Sequence, residues 1–457
     1  MPRVQETEST PDEQLFRRYL RADIVIPLLL ICITVIVSLV SMVRAPQYSR
    51  YDEYTHADYA YRMWVGEVPR AGDFVHPDTL KDWACRGDMK LEPPPCGSIE
   101  ATDPEAFSHQ GIQYNYFHPP LFYAVTGYLA GPVSELTGVS FFTVARMVGT
   151  GFIALGIAAV YFAIRSWRIR PGAAAAGSML LLSVSAVMHN GFIVNPDSLS
   201  MLIGAGVVWV LGRRIIHGGV PLLATTGIMV VAAASKVILA VPVLLACLYF
   251  GIDGIRQWRL GERKLARRLF LAAALPFIVL MSIYVGWGWI QDHRGDANFV
   301  SPMSGLSTFE IVGSPTGEWL ASIPFRMFGI GEDYWTHNQL NGWGVRVAAD
   351  VFGIIGTVAP LLALMIFPRW SPRWIAALLL IVGFVAVPTA VQLQAYIDAH
   401  EFFKEMNTRY ALALLPLQMV VVAGIVQRLR WEKYALWIAA LLGVLYCASV
   451  CGLLKMT

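Results

Sequence analysis

Apolar runs bounded by charged or turn-forming residues recur along most of this chain, and they restrict the fold open to it. A helix of about 20 apolar residues is what crosses a bilayer. Runs of that order begin near Ala22, Phe141 and Leu269, and others follow to the end of the sequence. Only 15% of the 457 residues are charged and mean hydropathy is +0.53, where a soluble domain carries about 25% charged residues. The expected class is therefore an all-α polytopic integral membrane protein. The net charge of +3 is small and scattered, which gives no footprint for nucleic acid.

The order of the runs sets a topology. Residues 1–21 read as a polar cytoplasmic tail, without periodicity through residue 15. Arg17, Arg18 and Arg21 precede the run 22–44. That run is too long for a signal-peptide core, and Pro46 directly follows the small residue Ala45, so it reads as a retained first span with its N-terminus inside. The segment 121–133, with Gly127, Gly131 and Pro132, is short for a span. If it crossed, the basic loops 165–170, 213–214, 256–268, 369–373 and 428–433 would all lie outside; if it stays juxtamembrane, all lie inside, as the positive-inside rule prefers.

About eleven transmembrane helices are then expected: 22–44, 141–164, 173–189, 197–215, 219–235, 237–253, 269–290, 346–367, 374–396, 407–427 and 434–455. Spans two to seven fill 141–290 and spans eight to eleven fill 346–457. Two large loops, 45–140 with juxtamembrane helices and 291–345, share the extracytoplasmic side. A multi-pass plasma-membrane protein with its chemistry on that side follows. Cys32, Cys247, Cys447 and Cys451 fall in apolar runs as small hydrophobes. Cys85 and Cys96 share the first loop and are candidates for a disulfide if it faces an oxidising compartment.

Ionisable and polar residues at the span ends sort to that same side: Asp52, Glu53, His56, His118, Arg146, Asn195, Asp197, Lys236 and Arg409. Helical spacing would put Asp52, His56 and Tyr59 on one face, flanked by Glu53 and Asp58. Several of these residues have a plain alternative. Asn195-Pro196-Asp197 suits a helix start with its cap and dipole partner. Lys236 could snorkel from a turn between two short runs, or be a cation kept near lipid for an anion. Arg409 could pair with Glu405, four residues earlier. His118 before Pro119-Pro120 could be packing at a helix entry. Arg146, alone among apolar residues, is harder to dismiss. No two histidines have zinc spacing, and a hard divalent cation between carboxylates and a phosphate stays as an alternative. The aromatic, glycine-rich loop 326–344 is either an interfacial belt or a cover for an acceptor sugar.

Taken in order, these motifs resemble the GT-C superfamily of integral-membrane glycosyltransferases, which use polyprenyl-phosphate-linked sugars. The resemblance is carried by Asp52-Glu53 after the first span, His118-Pro-Pro-Leu-Phe-Tyr123 at the loop's end and Val144-Ala-Arg146-Met opening the second span. Asn195-Pro-Asp197-Ser-Leu at a later span start, Lys236 at an outer turn and Arg409-Tyr410 complete it. It covers about residues 20–410 and is similar to the protein O-mannosyltransferases and the aminoarabinose lipid A transferases. The large soluble C-terminal domain of the oligosaccharyltransferase branch is not matched, and neither is the 64–113 insert.

The resemblance implies Asp52 as catalytic base, with Glu53 as neighbour or alternate. It implies Lys236, Arg409 and Arg146 as cations for the donor phosphate, with His56, His118, Asn195, Asp197 and Tyr410 around the substrates. The expected partners are a polyprenyl-phosphate-linked sugar, an acceptor hydroxyl on glycan, lipid or protein, and the bilayer; no cofactor is required. The rivals are a lipid-linked sugar flippase, which would keep its charges near the midplane in repeated halves, and a glycan polymerase or ligase that would not need Asp52.

Overall fold

The computed structural model describes residues 11–49, 52–89, 91–296, 299–300, 308–313, 342–403 and 408–454. The aromatic loop expected over 326–344 lies outside them except for its last three residues. Helix α1 (Pro11–Arg44) starts well before the expected Ala22, inside the stretch expected to lack structure. Proline suits the first helical turn. The first loop then folds into α2 (Glu53–Trp64), α3 (Pro77–Arg86) and α4 (Leu121–Thr137). Helix α4 lies along α2, where Gly127 meets the Ala60 carbonyl with no room for a Cβ. It is not among the described helices long and apolar enough to cross a membrane.

The chain continues through α5 (Phe141–Ser166), α6 (Pro171–Leu180), α7 (Ser185–His189), α8 (Ser200–Ile215), α9 (Leu222–Ser235), α10 (Val241–Arg259) and α11 (Arg263–Arg294). Strand β1 (Thr308–Glu310) pairs antiparallel with β2 (Glu401–Phe403). Between them come α12 (Trp343–Ile366) and α13 (Pro372–Ala399), and α14 (Leu415–Leu429) and α15 (Glu432–Val450) close the chain.

Among the described residues, nine helices are long and apolar enough to cross a membrane, and Pro171–Ser183 and Leu222–Ser235 are shorter apolar ones. Nine full-length spans and two short helices thus stand where eleven spans were expected. The segment 173–189 is not one helix. The Ser183 hydroxyl donates back to the Leu180 carbonyl, and Val184 turns extended (φ −86°, ψ 108°) before α7 restarts.

Helix α5 is the hub, with α1, α4, α6 and α8 packed around it. Gly204 of α8 lets that helix close on α14: an added Cβ would sit 2.6 Å from Pro416 Cγ. Three spans open with a 3₁₀ turn, at Pro196–Leu199, Val237–Ala240 and Thr408–Leu414. Asp197, Lys236 and Arg409 sit in or directly before those turns. Helices α5, α8, α10 and α14 run in one direction, from this end to arginines at the other, namely Arg165, Arg213, Arg214, Arg256, Arg259 and Arg428.

Candidate active site

Asp52 stands at the N-cap of α2 in the left-handed region (φ 61°), and its side chain makes no capping bond. An aspartate at that position normally accepts from the helix's first free N–H groups, a bond worth about 1 kcal/mol. Here the carboxylate turns away. Oδ1 accepts from the Tyr114 hydroxyl at 2.8 Å and Oδ2 lies 3.4 Å from Arg409 Nη2. The side chain keeps 28% of its surface exposed, so one side is open to a ligand. The expected shared face with His56 and Tyr59 is therefore not formed by Asp52, because the helix begins at Glu53; His56 and Tyr59 do share it, both stacked on Tyr123.

Behind Asp52 lies a buried charge cluster. Asp197, 1% exposed, accepts from Lys236 Nζ at 2.8 Å and has Arg409 Nε 3.7 Å from its other oxygen. The Tyr410 ring lies 5.7 Å from both the Lys236 ammonium and the Arg409 guanidinium. Asn195 acts as the cap, accepting from the Asp197 backbone N–H at 2.9 Å. The two readings of Asn-Pro-Asp thus divide between its residues: Asn195 caps and Asp197 pairs with cations. Glu405, the other partner considered for Arg409, lies outside the described residues.

Glu53 and Arg146 form a separate, closed unit. Arg146 Nε and Nη2 donate to the two Glu53 oxygens at 2.7 and 2.8 Å. The same oxygens accept the Ser49 and Val194 N–H groups, while Arg146 also reaches the carbonyls of Ala45, Pro46 and Gln47. The acceptor sites of the carboxylate and the five donors of the guanidinium are thereby engaged, at 0% and 1% exposure. This unit ties the end of α1, the start of α2, the second span and the residue before Asn195 together. Both side chains are buried and engaged with each other and with backbone groups.

His56 Nδ1 pairs with the Tyr123 hydroxyl at 2.8 Å and stacks near His118. Burial, then the neighbouring His118 and the Lys236 and Arg409 charges, hold the His56 imidazole well below its usual pKa. Burial, with the same two cations, does likewise for His118. Both rings are neutral donors or acceptors lining the cluster. Asp58 braces the loop from beneath, accepting from Gln113, Thr79, Arg62 and the His76 N–H. A disulfide joins Cys85 to Cys96 in the same loop.

Tyr114, Asn115 and Tyr123 were not singled out as site residues in the sequence, yet they hold Asp52 and His56. The signal available was the polar-aromatic run leading into His118. No three His, Cys, Asp or Glu side chains among the described residues gather closely enough to enclose a metal ion. The cluster offers instead an open carboxylate next to two cations at the N-terminal ends of spans, where helix dipoles favour an anion.

No family model matches the chain and no curated protein matches it in sequence. Among solved structures it is similar to ArnT from Cupriavidus metallidurans bound to undecaprenyl phosphate. Identity is 19% and the TM-score 0.46, over 89% of this chain and 61% of that one. The apo form of the same protein gives 16% and 0.35, over 93% and 77%. The Archaeoglobus fulgidus oligosaccharyltransferase, solved with zinc and sulfate, gives 13% and 0.37, over 92% and 53%. Both proteins are GT-C enzymes. This chain spans less than two thirds of the first structure's length.

Proposed function

We propose that this chain is a glycosyltransferase that moves a sugar from a polyprenyl-phosphate-linked donor to an acceptor hydroxyl. The observation that carries the proposal is the half-open Asp52 carboxylate in contact with Arg409, itself shared with the buried Asp197–Lys236 pair. Asp52 acts as the base. It takes the proton of the acceptor hydroxyl as that oxygen attacks the anomeric carbon, and the bond from that carbon to the phosphate oxygen breaks. The leaving polyprenyl phosphate gains negative charge, which Lys236, Arg409 and the converging N-terminal helix ends stabilise. A single displacement inverts the anomeric centre.

Arg409 supports a sequence of events. Its contact to Asp52 is long, at 3.4 Å, so an arriving donor phosphate competes for the guanidinium and releases Oδ2 toward the acceptor. Arg146 takes no part in holding phosphate in this scheme, and Glu53 takes no part as a base, since each already satisfies the other. No divalent cation is assigned a step. An extracytoplasmic active site is supported by the arginine-rich ends of four site-forming helices, which lie at the opposite end.

The test is direct. Purified protein is incubated with a panel of polyprenyl phosphosugars and acceptor alcohols, and donor consumption is followed by mass. Turnover of at least one donor, with release of intact polyprenyl phosphate, is expected with or without a chelator. Energy-independent translocation of an unchanged donor, with no release, would assign the chain to lipid-linked sugar transport instead.

A further inference from the structure

A cavity of about 450 Å³ opens at the other end of the bundle. It lies among the C-terminal ends of α5, α8 and α14 and the α12–α13 turn. Trp167 follows Arg146 by 21 residues on one continuous helix and its end, which puts the cavity ~30 Å from the charge cluster at 1.5 Å per residue. The walls are apolar, with Trp167, Ile216 and Phe367, and the polar groups are dominated by Arg168, Arg373 and Arg428.

None of these three arginines has acidic company among the described residues, which is also true of Arg213 and Arg369 nearby. Some arginines on the same face are paired: Arg165 with Asp23 at 2.8 Å, Arg214 with Asp253, and Arg170 with Glu432 at 3.6 Å. No acidic side chain lines the cavity, and Arg168, Arg373 and Arg428 make no ion pair among the described residues. The preference for basic loops on one side of a membrane explains why arginines are there; it does not explain why three of them line one hollow that no acidic side chain enters. Arg373 is also held in place. Its guanidinium lies 5.5 Å from the Phe367 ring, and its stem packs on Gly424, where an added Cβ would come 3.2 Å from Arg373 Cδ.

We propose that this cavity binds the phosphate headgroup of an anionic phospholipid from the leaflet on that side. Guanidinium groups recognise phosphate oxygens by paired N–H donors, and the volume is in the range of small-ligand sites. The lipid source is favoured over a soluble phosphate by position and lining. The cavity sits where candidate spans end, and its aromatic walls suit the glycerol backbone better than a hydrated ion. The site is independent of the transfer reaction proposed above.

The experiment uses the full chain in nanodiscs of phosphatidylcholine with a minority of phosphatidylglycerol, and reads retained lipid by native mass spectrometry. Wild-type protein is expected to retain phosphatidylglycerol preferentially. The Arg373→Gln/Arg428→Gln double variant should retain at least about tenfold less, as expected for two lost charged hydrogen bonds. Arg267→Gln, on the same face but outside the cavity, should retain as much as wild type. Gly424→Ala displaces Arg373 without removing charge and should give a smaller loss, which answers the question if the double variant does not fold. Equal retention by wild type and Gly424→Ala together with an unaffected double variant would overturn the proposal. So would an equal loss in Arg267→Gln, which would mean a diffuse basic surface. Inorganic phosphate protecting the protein against heat as well as phosphatidylglycerol does would overturn the lipid assignment.

Discussion

Asp52 and Arg409 lie 357 positions apart in the chain and meet at 3.4 Å. The contact joins the entrance of the first loop to the start of the eighth full-length span, and it is the only route by which the open carboxylate reaches the buried Asp197–Lys236 pair among the contacts described.

Replacing Asp52 by Asn keeps the size and one acceptor oxygen but removes the base. Transfer should fall by about 10²-fold or more, while donor binding stays within a small factor because Lys236 and Arg409 remain. Single-turnover rates beside equilibrium donor binding separate the two. Near-normal turnover in Asp52→Asn rejects the role.

Lys236→Ala and Arg409→Ala should each weaken donor binding by roughly tenfold to a hundredfold, the worth of about 1.5–3 kcal/mol for a hydrogen bond to a charged group. Each also strands part of the Asp197 charge, so melting points must be recorded with the binding curves. Donor affinity unchanged in both folded variants removes the phosphate site.

These residues were legible in the sequence for a physical reason. Charges next to lipid cost ~2.5–3.5 kcal/mol each, so Asp197, Lys236 and Arg409 stand out against apolar surroundings, and the arginine-rich loops order the spans around them. Pairing was not legible. Glu53 and Arg146 look as functional as their neighbours until the bidentate contact is seen. Tyr114 and Tyr123 are two aromatics in a chain rich in them, and nothing in spacing tells which phenol will reach Asp52. The break at Val184 escaped notice because an apolar run reads the same whether its helix continues or stops.

Glu53 and Arg146 give a prediction of the opposite kind. Breaking a buried ion pair leaves an uncompensated charge and costs about 3–5 kcal/mol. Glu53→Gln or Arg146→Met should therefore lower the melting point and yield of folded protein sharply. Any Glu53→Gln protein that does fold should keep measurable transfer, unlike Asp52→Asn. A Glu53→Gln variant with normal stability and no transfer would instead make Glu53 the base.

The histidines set a pH dependence whose sign follows from their environment. His56 and His118 are held well below 6.5 in the folded protein, first by burial and then by nearby positive charge. The unfolded chain therefore takes up these protons first as pH falls, and stability fully present above pH 6.5 is lost below it. The slope is up to about 1.4 kcal/mol per pH unit for each ring until the native site also protonates. Melting points measured from pH 7.5 down to 5.5, on the order of one unit either side of the model histidine value, should decline in wild type. The decline should flatten in His118→Gln and more so in the His56→Gln/His118→Gln double variant. An equally steep decline in the double variant would mean that other groups carry the acid sensitivity, and that His56 is not the neutral partner of Tyr123 and Asn115.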